Sequence, residues 1–256
     1  MTIKSLHIGI LRADDVIDEL AEGHGQYPEM FESLLQRANA QRDDRQLALR
    51  FSTYAVNHGE YPAAIDEVDG YILTGSKSSV YDDEEWIRQL GQFIAQLHEQ
   101  RKKMVGICFG HQMVAHALGG STEKSDKGWG IGIKDTFIDT DAAQDEKLAS
   151  SALNSFNDRG AFRLVYSHQD QVIKPAPESV VLASNDFCPV AMTSLGEHML
   201  TFQGHPEFSQ AFARKIYDYR KPSYPPSVYD AAIESMRDDA DPLLVANWML
   251  DFLSGF

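Results

Sequence analysis

The sequence predicts an α/β fold in which helices cover the faces of a parallel β-sheet. Short apolar runs alternate with helical patterns along the 256 residues, which is typical of parallel strands joined by crossover helices. Several of these runs are continuously apolar, as strands buried on both faces are. Strands are predicted at residues 5–11, 49–56, 70–74, 104–107, 131–138, 163–167, 180–184 and 199–203.

The best-defined helix is predicted directly after Tyr81. Asp82 is a suitable N-cap, and Glu85 three residues later completes a capping box. Tyr81 and Trp86 stand where a hydrophobic staple would pack. Apolar residues then recur at helical spacing and give the helix a face that can be buried, namely Ile87, Leu90, Ile94 and Leu97.

Two further helices and one irregular segment complete the expected organisation. A helix over 110–118 ends at a pair of glycines. A C-terminal helix over 242–253 begins with Pro242 after its cap, Asp241. Residues 220–241 contain three prolines and are predicted to be irregular, either a surface connection or a lid or interface. We see no domain boundary and predict a single domain over 1–256.

Charge and composition narrow the classes of function. Lys and Arg number 23 against 38 Asp and Glu, a net charge of −15, which argues against binding to nucleic acid or an anionic membrane. The first apolar run is interrupted by Arg12 and two acids, so it indicates neither a signal peptide nor a membrane span. Two cysteines do not make a disulfide framework. We therefore expect a cytoplasmic protein.

The segment from Gly106 to Gly110 carries the most information about chemistry. A predicted strand leads into Gly-Ile-Cys-Phe-Gly and continues as a helix. Glycines two positions before and after Cys108 suit a strained strand-to-helix turn, where the chain passes close to itself. The turn would lift the sulfur to a helix N-terminus, which stabilises a thiolate. There the N–H of Phe109 can bind an oxyanion. Cys188 has no such setting and is interpreted as structural.

A base for this thiol is predicted at the end of the last strand. His205 and Glu207 are two residues apart, so in extended chain their side chains point the same way. The carboxylate can then accept the imidazole N–H, fix its tautomer and stabilise the imidazolium. Pro206 keeps the link from becoming helical. The structural alternatives are that Cys108 is a small buried apolar residue and His205 a solvated loop histidine.

Sequence signals for cofactors are lacking. There is no Gly-x-x-x-x-Gly-Lys-Ser/Thr loop, no Gly-x-Gly-x-x-Gly after a strand, and no Cys/His cluster at metal-ligand spacing. We therefore predict no cofactor and no metal. About fifty residues follow Glu207, which is too few for an added nucleotide-binding domain.

The motifs Gly-Ile-Cys-Phe-Gly-His-Gln and Gly-His-Pro-Glu-Phe resemble those of the class I (triad) glutamine amidotransferases. The likeness is greatest to a free-standing subgroup similar to the glutaminase domain of GMP synthase and to plant γ-glutamyl peptidases. It implies an open, mainly parallel, flavodoxin-like sheet with helices on both faces. It also implies a γ-glutamyl thioester on Cys108, with His205 as general base and acid and Glu207 as its orienting group.

The resemblance further implies a set of substrate contacts. Gly75 matches the loop whose N–H completes the oxyanion hole with that of Phe109. The residues expected to seat the γ-glutamyl substrate are Ser76, Gln112, Ser167 and His168. This chain departs from the family at the oxyanion loop, because it reads Thr-Gly-Ser-Lys-Ser-Ser-Val where members often carry two glycines and a proline.

The function expected from these residues is hydrolysis of glutamine or of a γ-glutamyl peptide or conjugate, a small-molecule substrate. The alternative is a glutaminase subunit that supplies ammonia to a separate synthetase partner. An α/β-hydrolase with a cysteine elbow would place its acid well before the histidine, and a redox-sensing protein that is not an enzyme would not need His205 and Glu207. Release of glutamate or ammonia by the pure protein separates the first two.

Overall fold

A nine-stranded sheet runs through the computed structural model of the protein, which describes residues 3–43, 45–142 and 159–255. The strand order is β2-β1-β3-β4-β11-β10-β9-β6-β7, and β5 pairs with β8 in a separate two-stranded sheet. The strands are β1 Lys4–Arg12, β2 Leu47–Ala55, β3 Gly70–Leu73, β4 Lys103–Ile107, β5 Ser121–Lys124, β6 Gly130–Ile138, β7 Ala161–His168, β8 Asp170–Lys174, β9 Ser179–Ser184, β10 Met192–Leu195 and β11 Met199–Phe202.

The half of the sheet that contains β2, β1, β3, β4 and β11 is parallel throughout. The remaining strands extend it in antiparallel fashion. This confirms the predicted α/β fold with a large, mostly parallel central sheet. Each of the predicted strands is present, whereas β5, β8 and β10 were not predicted. These three have only four or five residues and carry no continuous apolar run.

Helices lie on both faces of the sheet. One apolar cluster joins α2 and α7 to one face, and a second joins α3 and α4 to the opposite face. Strand β3 shows the division: Ile72 belongs to the first cluster, and its neighbours Tyr71 and Leu73 belong to the second. The helices are α1 Asp18–Ala21, α2 Tyr27–Ala40, α3 Glu85–Glu99, α4 Phe109–Ala117, α5 Gln210–Arg220, α6 Pro226–Ser235 and α7 Pro242–Ser254.

The prediction that residues 220–241 are irregular is wrong for the middle of that segment. Helix α6 occupies Pro226–Ser235, with Pro226 in its first turn and Tyr229 and Ala232 buried. A proline at the first helical position is compatible with helix because its missing N–H would have no partner there. The C-terminal helix agrees with its predicted start and ends one residue later. The single domain over 1–256 stays a prediction, and its range includes residues outside those described.

The start of α3 also differs from its prediction. The helix begins at Glu85 with Glu84 as N-cap, and no side chain caps it. Asp82 instead accepts a hydrogen bond from the N–H of Ser79 at 2.8 Å, which closes a turn before the helix. Trp86 packs its ring against Phe109 at a centroid distance of 5.6 Å. The helix predicted at 110–118 is α4, one residue earlier at each end.

The glycines of the strand-to-helix turn are required by close approach of the backbone. A Cβ added to Gly106 would lie 2.6 Å from the carbonyl oxygen of Gly110, and one added to Gly110 would lie 2.6 Å from that of Leu73. Neither backbone oxygen can move away as a flexible side chain would. The turn therefore excludes side chains at both positions.

We expect Gly106→Ala to destabilise the protein by about 1–3 kcal/mol, the usual range for overpacking a tight site. Urea unfolding followed by circular dichroism measures this directly. Gly160→Ala is the matched control, because a Cβ at Gly160 has nothing within 4 Å, and we expect its unfolding free energy to stay within about 0.5 kcal/mol of the wild type. Equal stabilities of the two variants would contradict the packing argument.

Candidate active site

The candidate site lies at the carboxyl ends of three neighbouring parallel strands. Gly75 follows β3, Cys108 follows β4 and His205 follows β11, and these strands are adjacent in the order β3-β4-β11. The carboxyl edge of an open parallel sheet is where such folds place their ligands. Residues distant in sequence therefore meet at one point because the strands carrying them are neighbours.

Cys108 has a strained backbone. Its φ is 53° and its ψ is −101°, and it is the N-cap of α4. A positive φ is costly for a residue with a side chain, so it persists only where the surrounding structure enforces it. Here the N–H of Cys108 donates to the carbonyl of Phe202 in β11 at 2.8 Å. The residue is 6% exposed and lines a pocket of about 160 Å³.

His205 is fixed by its backbone, its hydrogen bond and its ring. Its N–H donates to the carbonyl of Val165 in β7 at 2.8 Å. Its Nδ1 lies 2.8 Å from Oε1 of Glu207, whose side chain is fully buried. The imidazole stacks on Phe208 with a centroid distance of 4.0 Å and an interplanar angle of 11°. The Nε2 atom is buried and makes no hydrogen bond to a residue that the structure describes.

Charge in the site favours a protonated imidazole. Burial on its own would lower the pKa of His205, but the charges of Glu207 and Cys108, with the hydrogen bond to Glu207, outweigh it and raise the pKa to about 10. A neighbouring negative charge stabilises the protonated form of an imidazole. The arrangement therefore places a ring that can donate a proton beside a sulfur that can act as a nucleophile.

Gly75 borders both of these side chains. A Cβ added there would lie 3.1 Å from Cε1 of His205 and 3.7 Å from Cβ of Cys108, so the two side chains converge at this glycine. The following loop is anchored by buried Asp14, whose carboxylate accepts hydrogen bonds from the backbone N–H and from Nζ of Lys77, both at 3.0 Å. Phe109 begins α4, where backbone N–H groups have no partner within the helix.

The residues predicted to seat the substrate line the same pocket, namely Ser76, Gln112, Ser167 and His168. The amide nitrogen of Gln112 donates to the carbonyl of Asp170 at 2.7 Å and to Oε1 of Gln203 at 3.1 Å. Nδ1 of His168 donates to the same Asp170 carbonyl at 2.9 Å. Burial lowers the pKa of His168 to about 3, so its ring is neutral, and its hydrogen bond helps to fix the backbone at Asp170.

The sequence analysis missed several residues that shape this pocket. Asp170 lines it, and its carboxylate accepts a hydrogen bond from Oγ of Ser79 at 2.5 Å. Trp129 and two basic residues, Lys124 and Arg220, line it as well. Asp170 had a sequence signal, since it ends the Ser-His-Gln-Asp stretch. The others come from elements that only the tertiary fold brings to the site.

The described residues contain neither a metal-binding cluster nor a membrane-spanning helix. No cluster of three or more His, Cys, Asp or Glu side chains within 3–43, 45–142 and 159–255 has a geometry that would hold a metal ion. No helix in the same ranges is long and apolar enough to span a bilayer.

Comparison with known proteins agrees with the geometry. The family model for glutamine amidotransferase class-I matches residues 37–217. Gamma-glutamyl peptidase 3 of Arabidopsis thaliana is 29% identical over 66% of this chain and 67% of its own length. Gamma-glutamyl peptidase 4 of the same plant is 30% identical over 76% and 73%. A crystal structure of a glutamine amidotransferase from Methylobacillus flagellatus superposes with a TM-score of 0.70 at 19% identity, covering 99% of this chain and 93% of that one.

The chain belongs to the class I glutamine amidotransferase family. The family model spans well over half of the chain, and the peptidase relatives align over about two thirds or more of their length. The structural likeness, at 19% sequence identity, supports the fold alone. The names of the family and of these relatives support an enzyme, and the sequence resemblance to this family is confirmed.

We expect iodoacetamide to modify Cys108 and spare Cys188 in the folded protein. Cys188 is fully buried, and burial raises the pKa of its thiol to about 12, so it stays protonated and shielded. Cys108 lines an open pocket beside a cationic ring. Peptide mapping by mass spectrometry identifies the modified residue, and the urea-unfolded protein, in which both cysteines react, is the control. Modification of Cys188 alone would contradict the site.

Proposed function

We propose that the chain is a cysteine hydrolase that cleaves the γ-glutamyl amide of a small molecule through a thioester on Cys108. The observation that carries the proposal is the positive-φ Cys108, which lines the pocket beside an imidazole that is hydrogen-bonded to Glu207. In this reading Gly75 and Phe109 supply the oxyanion N–H groups. Ser76, Gln112, Ser167 and His168 shape the seat of the γ-glutamyl group.

The proposed reaction has two steps, formation of the thioester and its hydrolysis. The Cys108 thiolate attacks the amide carbonyl, and the oxyanion that forms is held by backbone N–H groups. As the C–N bond breaks, His205 gives its Nε2 proton to the departing nitrogen, so an amine or ammonia leaves and a thioester remains. Neutral His205 then takes a proton from water as that water attacks the thioester. Glutamate leaves, and the thiolate and imidazolium are restored.

The γ-glutamyl end has a matching environment on one wall of the pocket. Asp170 is the carboxylate that lines it, and a carboxylate is a suitable partner for the α-ammonium group of glutamate. The hydroxyl of Ser167 is buried and makes no hydrogen bond within the described ranges, so it can bind a substrate polar group. These contacts support recognition of the glutamyl part of the substrate.

The space around the pocket favours a leaving group larger than ammonia. A second pocket of about 340 Å³ shares Trp129 with the first, and its lining includes Ile131, Phe187 and Val228. An amine leaving group with several heavy atoms would have room to extend there, whereas ammonia would not need it. Together with the names of the peptidase relatives, this supports a γ-glutamyl peptide or conjugate over glutamine. Supply of ammonia to a synthetase partner is the alternative.

We expect Cys108→Ala and His205→Ala each to lower hydrolysis of a γ-glutamyl dipeptide by roughly 10⁴-fold or more, because each removes an essential member of one unit. The loss of activity in Glu207→Gln should be smaller than this by a factor on the order of 10², because the base is still present although its orienting group is gone. Glutamate release by the pure protein measures this, with glutamine as the reference substrate. Circular dichroism checks that the variants fold.

Two outcomes would contradict this function. Full activity of Cys108→Ala would exclude the thioester. Release of glutamate only after a synthetase is added would favour the ammonia-supplying subunit, which should be nearly silent alone.

The pH dependence follows from the charge around His205. Glu207 is the main group that raises the pKa of His205, and burial opposes it. In Glu207→Gln the contribution of the Glu207 charge is lost, so the pKa of His205 falls and the ring loses its proton at lower pH. We therefore expect the alkaline limb of the kcat/KM profile, near pH 10 in the wild type, to move to lower pH in this variant. Glu234→Gln, at an exposed carboxylate paired with Arg237, is the control and should leave the limb in place. An unchanged limb in Glu207→Gln would contradict the assignment.

A further inference from the structure

The basic side chains of the pocket have no role in the chemistry above. Three cations line it, namely Lys77, Lys124 and Arg220, against one carboxylate, Asp170. The protein as a whole carries a net charge of −15, so the local charge of this pocket is opposite in sign to the net charge of the molecule. Lys77 is paired with Asp14, which leaves Lys124 and Arg220 to be explained.

Arg220 is the cation best placed to bind a ligand. It is half-buried at the C-terminal end of α5 and forms no ion pair with any residue in the described ranges. The nearby carboxylate of Asp218 is bonded to Arg214 and Tyr229 instead. A half-buried guanidinium without a carboxylate partner suits bidentate recognition of an anion.

Arg220 lies on the Trp129 side of the pocket. Tyr224, four residues after Arg220, packs its ring edge-on against Trp129 at a centroid distance of 5.1 Å, and Trp129 is the residue that this pocket shares with the second pocket. The proposed function places the leaving group towards that second pocket, so Arg220 stands near the path that the leaving group would take.

Lys124 adds a second positive charge at the rim. It ends β5 opposite Asp170 in the β5–β8 pairing, is exposed, and makes no ion pair among the residues that the structure describes. Because Lys124 stands opposite Asp170, its charge offsets the repulsion that this carboxylate would exert on an anion held by Arg220.

We infer that Arg220, assisted by Lys124, binds a carboxylate on the leaving group, so that the preferred substrates are γ-glutamyl amino acids and peptides with a free acid. The inference rests on the proposed function and adds a specificity-determining contact to it. Glutamine has no such carboxylate on its leaving group, so this contact favours peptides over glutamine.

The test compares γ-glutamylglycine with γ-glutamylglycinamide, which differ only in the charge of the leaving group. We expect the wild type to prefer the acid by roughly tenfold in kcat/KM, the lower range for a hydrogen bond to a charged group. In Arg220→Met the preference should fall towards one, and in Lys124→Met it should fall in part. Arg214→Met, the same change on the same helix at an arginine already paired with Asp218, should keep the wild-type preference.

A second measurement separates this inference from the proposed function. Both compounds are titrated calorimetrically into Cys108→Ala and into Cys108→Ala combined with Arg220→Met, so binding is read without turnover. If the wild type hydrolyses neither compound, the proposed function fails, and the acid-over-amide ratio of Kd still decides the inference. It is overturned if the ratio is near one, or if Arg220→Met weakens acid and amide equally, as binding of the glutamyl α-carboxylate or a structural role would require.

Discussion

The structure depends on holding one residue in a backbone conformation that it would not adopt alone. Cys108 has a positive φ, and such a conformation in a residue with a side chain stores on the order of 1–3 kcal/mol. The backbone passes so close to itself around Cys108 that only glycine fits at positions 106 and 110. The strain is thus offset by the packing of β3, β4 and α4, and it places the sulfur at the edge of the sheet instead of within it.

His205 and Glu207 lie at the same edge of the sheet. Strand β11 is the direct neighbour of β4, so His205 emerges beside Cys108 although it lies far along the chain. A bond to Glu207, a stack on Phe208 and a backbone bond to Val165 then fix the ring. The side chain of His205 therefore has little conformational entropy left to lose when a ligand binds, and such preorganisation favours catalysis.

The strand pattern and the two motifs could be predicted because each is local. Continuous apolar runs marked the buried strands, and the glycines around Cys108 and the two-residue spacing of His205 and Glu207 indicated the chemistry. The short strands β5 and β10 lacked such runs. Helix α6 was hidden by its prolines, one of which is its first-turn residue. Arg220 could not be assigned to the pocket from the sequence, because no motif next to it indicates that it lies near the end of β4.

The most direct test of this active site is to trap the acyl group. The wild-type protein is mixed with a γ-glutamyl dipeptide, quenched in acid within one turnover, and analysed by mass spectrometry before and after proteolysis. We expect the mass of one γ-glutamyl group on the peptide that contains Cys108, and no adduct in His205→Ala under the same conditions. Turnover of the dipeptide with no adduct on Cys108, or with the group attached to another residue, would contradict a thioester mechanism at this cysteine.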